Sequence, residues 1–174
     1  MDLLDRMIQT AFLGKEYLTW LWYRSDSNQG RFQLEGSAYL EVWFDDKLVL
    51  DTAVEKVKEV NSIRGEAPTE TAEAKAAIRM GKKVADARLR VIKDGREWMC
   101  NIKGEELALS GVKVPAVLSR DEDEQVLERL GLIEELEGVL DGLYAQFMNI
   151  RLDSEQWAAE LATIQAWAHQ DHSI

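Results

Sequence analysis

Between Lys83 and Lys103 the chain has one way to pair with itself that keeps its apolar residues on a single face. Ala87, Leu89 and Val91 alternate with Asp86, Arg88 and Arg90, the period of a half-buried strand. Asp94-Gly95 is the turn pair favoured by two-residue hairpins, because both central positions must accept positive φ. Folding there sets Val91 opposite Trp98, Leu89 opposite Cys100 and Ala87 opposite Ile102. A slip of one residue would turn that apolar set to the other face, so the register is strongly specified. Upstream, Glu70 to Met80 reads as a helix, with Thr69 as its N-cap, Glu70 and Glu73 in its first turn and Gly81 as its left-handed stop.

The flanks fill in around this hairpin. Asp2 to Ala11 reads as an amphipathic helix and Lys15 to Arg24 as a second one. The second carries Tyr17, Leu18, Trp20, Leu21, Trp22 and Tyr23, an aromatic density that implies burial on more than one side. Ser25 to Gly36 reads as a loop. Tyr39–Phe44 and Lys47–Leu50 suggest another hairpin across Asp45-Asp46, apolar on both faces. Asp45, Asp46 and Asp51 fit turn formation better than metal ligation. Val54 to Arg64 leans towards strand, and Leu107 to Val117 holds a short strand ended by Pro115.

From Asp121 onward the pattern is helical. Apolar residues recur from Val126 to Phe147, and Gly131, Gly138 and Gly142 predict a kink or two segments. Ser154 is the expected N-cap of a last helix with Trp157, Leu161, Ile164 and Trp167 on one face. The expected fold class is α+β: antiparallel hairpins form a sheet packed with N-terminal aromatic helices and a C-terminal acidic helical segment. A chain of 174 residues suits one compact domain, with a core over 1–119 and the acidic segment 120–174 packed on it.

Charge is unevenly spread. The net charge is −11, and within 120–174 only Arg120, Arg129 and Arg151 face thirteen Asp and Glu. The rest of the chain is close to neutral and contains a basic island. Lys75, Arg79 and Lys82 share one side of the central helix, Lys83 follows, and Arg88 and Arg90 share the polar face of the hairpin. Such a cluster can neutralise phosphates; alternatively it forms a solvated face or pairs with the acidic helices. The single Cys100 excludes an intramolecular disulfide framework and reads as a small buried hydrophobe. Met1-Asp2-Leu3-Leu4-Asp5 lacks the basic start of a signal peptide, and no apolar run approaches bilayer length, so a cytoplasmic protein is expected. His169 and His172 read as incidental rather than metal-binding. No phosphate loop, nucleophile elbow, HExxH or CxxC occurs, so neither catalysis nor a cofactor is expected.

Ser62-Ile63-Arg64-Gly65, a Thr/Glu-rich helix, Met80-Gly81-Lys82-Lys83-Val84 and a hairpin containing Trp98-Met99-Cys100 together resemble the C-terminal half of the recombination-associated RdgC family. The resemblance covers about residues 60–150, and the Phe12–Arg24 block is similar to a stretch of shorter RdgC-like proteins. It implies a non-enzymatic, sequence-independent binder of double-stranded DNA that acts as a ring-shaped homodimer. Lys82 and Lys83 fall on the family's Gly-Lys position and are the phosphate contacts it implies. Two differences accompany it: the chain is acidic where the family's ring is lined by basic residues, and Glu66-Ala67 stands where the family has a basic pair. The competing expectation is an acidic protein-interaction module or homo-oligomer that does not bind DNA.

Overall fold

The computed structural model describes residues 3–52, 60–64 and 72–170. Thr69 and His172 lie outside them, as does the 54–59 part of the expected strand. The elements run α1 (Leu3–Ser27), β1 (Arg31–Phe32), β2 (Leu40–Asp51), β3 (Val60–Arg64), α2 (Ala72–Arg79), β4 (Lys83–Lys93), β5 (Arg96–Lys103), β6 (Ala108–Lys113), α3 (Glu122–Arg151) and α4 (Ser154–Ala168). The α+β class expected from the sequence is the class found. The six strands form one antiparallel sheet in the order β1-β2-β4-β5-β6, with β3 pairing the far end of β2.

The β4–β5 hairpin has the register read from the sequence: Val91 pairs with Trp98, Leu89 with Cys100 and Ala87 with Ile102. Asp94 and Gly95 take φ of 49° and 81°, the left-handed pair a tight hairpin needs. Asp94 also ties the turn to β2, because its Oδ1 accepts from the Tyr39 amide at 2.9 Å and its own amide donates to the Tyr39 carbonyl. The inward apolar residues of β2, β4 and β5 are buried, among them Val42, Leu48, Leu89, Val91, Trp98 and Cys100.

Four expectations are corrected. Asp45-Asp46 does not turn the chain; β2 runs unbroken from Leu40 to Asp51. Phe44 pairs with Leu89 and Leu48 with Ala87, so three residues of β2 stand opposite Arg88 alone. The aspartates form a bulge rather than a turn, and both halves of β2 keep their even-numbered side chains inward. The two expected N-terminal helices are one, because Gly14 stays helical where α1 meets the β5–β6 turn. A Cβ at Gly14 would lie 1.7 Å from the Gly104 carbonyl oxygen, so this crossing admits no side chain. The three glycines in α3 do not divide it, and the helix is continuous from Glu122 to Arg151. Isolated helical glycines cost only about 1 kcal/mol each, and Gly142 lets the Leu34 side chain pack where its Cβ would be, 2.5 Å from Cδ1. Finally, Asp153 rather than Ser154 caps α4, accepting from the amides of Glu155 and Gln156.

The helices gather on the inward face of the sheet, and their apolar residues join the strands in one core. Trp98 donates from Nε1 to the Leu132 carbonyl at 2.9 Å, fastening β5 to α3. The Tyr17 hydroxyl donates to the Leu140 carbonyl, and its ring meets Tyr144 edge-on at 5.1 Å. Burial holds the Tyr17 phenol well above its ordinary range. Trp167 meets Trp22 edge-on at 4.9 Å and donates to Asp26 Oδ2, closing α4 onto α1. The aromatic block of α1 is therefore core, as its density implied. Trp157 is half-buried and Leu161 exposed, so only Ile164 and Trp167 of the expected α4 face are fully buried.

Cys100 is 1% exposed, and burial pushes its thiol up to about 11. Only the thiolate reacts with disulfide reagents. In the folded protein at pH 8, Cys100 is expected to resist Ellman's reagent for hours and to react within minutes in guanidinium chloride. Rapid labelling without denaturant would show that β5 is not packed in this way.

Candidate nucleic-acid interface

The six basic residues singled out by the sequence do not form one surface. Lys75 is 4% exposed, 3.6 Å from Asp26 and 5.0 Å above the Trp167 ring. Lys82 is buried at the end of α2, beside the start of β4. The Lys83 ammonium lies 3.1 Å from Glu16 Oε1, and the other Glu16 oxygen accepts from Arg151 Nε at 2.8 Å. Arg79 donates to the Ala168 carbonyl at 2.8 Å, closing the last turn of α4. Lys75 and Arg79 tie α2 to α1 and α4, and Lys83 ties β4 to α1. Lys75 and Lys83 have acidic partners within the fold, and Arg79 has a carbonyl.

Arg88 and Arg90 are different. Both alternate with the buried Ala87, Leu89 and Val91, so they lie on the outward face of β4, where each is half-buried. Cross-strand pairing sets the neighbours. Trp43 on β2 pairs with Arg90, Arg90 with Met99 on β5, and Met99 with Lys113 on β6. One row below, Arg88 pairs with Asn101, which pairs with Ser110. Aromatic, cationic and amide groups thus stand side by side across four strands.

Local contacts fix this row. The Trp43 indole covers Gly30, where a Cβ would come within 2.4 Å of the ring, and its Nε1 donates to Glu41 Oε2 at 2.9 Å. The β2 bulge presents Asp46 to Arg88 at 3.6 Å, while Lys47 reaches Asp86 at 3.0 Å. Arg90 has no carboxylate partner among the described residues. The Nε groups of Arg88 and Arg90 are both shielded from water and lack an acceptor. Lys113 at the sheet edge is exposed. Any phosphate contact would fall to the part of these half-buried guanidinium groups that remains exposed, since guanidinium suits phosphate oxygens, and a fixed indole beside them can stack on a base.

The sequence singled out Arg88 and Arg90, but Trp43, Met99, Asn101 and Lys113 were missed. Alternation alone could have placed Met99 and Asn101 with the arginines. Trp43 was hidden by the assumed Asp45-Asp46 turn. Among the described residues, no group of three or more His, Cys, Asp or Glu is placed to hold a metal ion, and no helix is long and apolar enough to cross a membrane. No family model, curated protein or solved structure matches the chain.

Proposed function

We propose that this chain is a non-enzymatic, sequence-independent DNA-binding protein, and that it binds through the outward face of its sheet. The observation that carries the reading is the Trp43–Arg90–Met99–Lys113 row with Arg88 beside it, on the outward face of the sheet. The resemblance to RdgC proteins supports the same class and adds a homodimer as the working form; the single cysteine fits a cytoplasmic location. Lys82 and Lys83, the contacts that resemblance implies, are poor candidates, since one is buried and the other is paired with Glu16. The acidic helices sit on the opposite face of the sheet, which lets an acidic protein approach a polyanion from one side.

The test is fluorescence anisotropy with short duplex and single-stranded DNA over a range of salt. Each phosphate contact contributes roughly 0.9 to the log–log salt slope. Arg88→Glu/Arg90→Glu is expected to weaken duplex binding at least ~30-fold and to flatten the slope by about 2. Circular dichroism should be unchanged, since neither residue contributes to the core. Undiminished binding by that variant would remove the sheet face as the site.

One observation favours the second reading, a protein-interaction module. Val126, Leu127 and Leu130 are 53%, 69% and 52% exposed on the acidic start of α3, a stripe of the kind that marks interaction surfaces. If the wild type binds neither DNA form at low salt, this reading replaces the first. A mass by light scattering that is dimeric, and monomeric after Leu127→Glu, would then support it.

A further inference from the structure

A cleft of about 730 Å³ opens between α1, the β1–β2 edge and α3, and neither Arg88 nor Arg90 lines it. Its volume falls within the range of small-molecule sites. Its composition departs from the rest of the chain. Asp and Glu make up 32 of 174 residues, yet none lines this cleft. Two arginines do, together with aromatic rings and carboxamides.

The polar groups are already oriented. Arg24 donates to Glu160 at 2.8 Å and lies 5.6 Å from the Trp20 ring centroid, so its guanidinium is fixed and its charge is compensated. Arg31 is exposed at the rim and has no ion-pair partner among the described residues. The Tyr39 ring is 44% exposed, and its hydroxyl is held by Glu41. Gln146 donates to the Gln33 carbonyl at 2.7 Å, and Asn28 lies on the same wall. Phe32 supplies apolar floor. Arg31 stands across from Glu41, whose carboxylate is taken up by the Tyr39 hydroxyl and the Trp43 indole. An exposed guanidinium without a direct ion pair suits an anion, a rigid exposed ring a planar group, and the carboxamides a ligand with both donors and acceptors. A nucleotide carries all three.

We infer that this cleft is a binding site for one nucleotide, with Arg31 on its phosphate and Tyr39 stacked on its base. The nucleotide is either a free nucleoside monophosphate or the terminal residue of a DNA strand. The inference does not depend on the sheet face, and its test is separable from the one above.

Isothermal titration of the full chain with dAMP is expected to show one saturable site. Arg31→Ala should weaken binding at least tenfold. Tyr39→Phe should retain it and Tyr39→Ala should lose it. The amide and carbonyl bonds of Tyr39 to Asp94 are main-chain on the Tyr39 side, so the alanine variant keeps them. Arg88→Glu/Arg90→Glu should leave dAMP binding unchanged whether or not the sheet face binds DNA. Displacement of dAMP by a single-stranded oligonucleotide would assign the site to strand termini, and failure to displace it would assign it to free nucleotide. Inorganic phosphate or deoxyribose 5-phosphate binding as tightly as dAMP would overturn the role of the base. No heat at millimolar dAMP would overturn the site.

Discussion

Gly14→Ala is expected to destabilise the protein by about 3 kcal/mol, although on helix propensity alone it should stabilise it by roughly 1 kcal/mol. The sign is decided by the crossing of α1 over the β5–β6 turn. The added methyl would sit 1.7 Å from the Gly104 carbonyl oxygen and 2.9 Å from its carbon. Those are backbone atoms, so no side chain can swing aside. Gly104 cannot retreat freely either, since its amide donates to the Ala85 carbonyl at 2.7 Å. Either α1 lifts off the sheet, thinning the packing around Tyr17 and Leu18, or the turn unpairs from β4. For a chain of this size the melting temperature should fall by roughly 6–12 °C. Gly131→Ala is the control: its Cβ meets nothing within 4 Å, so only propensity acts and stability should rise slightly. A Gly14→Ala protein that melts at or above the wild-type temperature would show that α1 does not cross here as described.

The same crossing explains what could and could not be read from the sequence. The β4–β5 register was legible because strand alternation and the Asp94-Gly95 turn are both local, and they agree. The continuity of α1 through Gly14 was not legible, because the reason for a glycine there is Gly104, ninety positions away. The Asp45-Asp46 pair was read as a turn because adjacent aspartates favour turns. What overrides that preference is the neighbour: both halves of β2 pair with one long β4, and bulging the extra residues keeps Phe44 and Leu48 in the core.

The basic island divides for a similar reason. Charge clustering along the sequence says nothing of which face each residue takes once a helix and a strand lie at an angle. Lys75 faces Asp26 and Trp167, Lys83 faces Glu16, and Lys93 and Arg96 both reach Glu135 on α3. Only alternation within β4 separated Arg88 and Arg90 from these internal ties. The acidity of α3 is thus partly structural, since Glu135 anchors the hairpin end to the helix layer.

Lys15→Met should cost about 3–5 kcal/mol, the range for breaking a buried ion pair from one side. Lys15 and Asp51 are 6% and 1% exposed, and the ammonium lies 3.0 Å from Asp51 Oδ2 and 3.1 Å from Glu105 Oε1. Methionine matches the length of the chain but leaves the Asp51 carboxylate buried without that ammonium. The double variant Lys15→Met/Asp51→Leu should recover most of the loss, because an apolar pair of similar volume avoids the desolvation cost. A double variant no better than the single one would show that Asp51 is needed for its other contacts. The pH dependence gives a second test. Burial pulls the Lys15 pKa down, but the hydrogen bonds and charges of Asp51 and Glu105 outweigh it and hold it above 10.5. A group that binds its proton more tightly when folded lends stability that is complete below its unfolded pKa. That stability is lost as pH rises through the folded value. Between pH 7 and 9 the wild-type and double-variant stabilities should therefore run parallel. Above about pH 10.5 the wild type should lose stability faster, because the unfolded chain releases the Lys15 proton first. Curves that stay parallel to pH 11.5 would remove the Lys15 ammonium from the account of this junction.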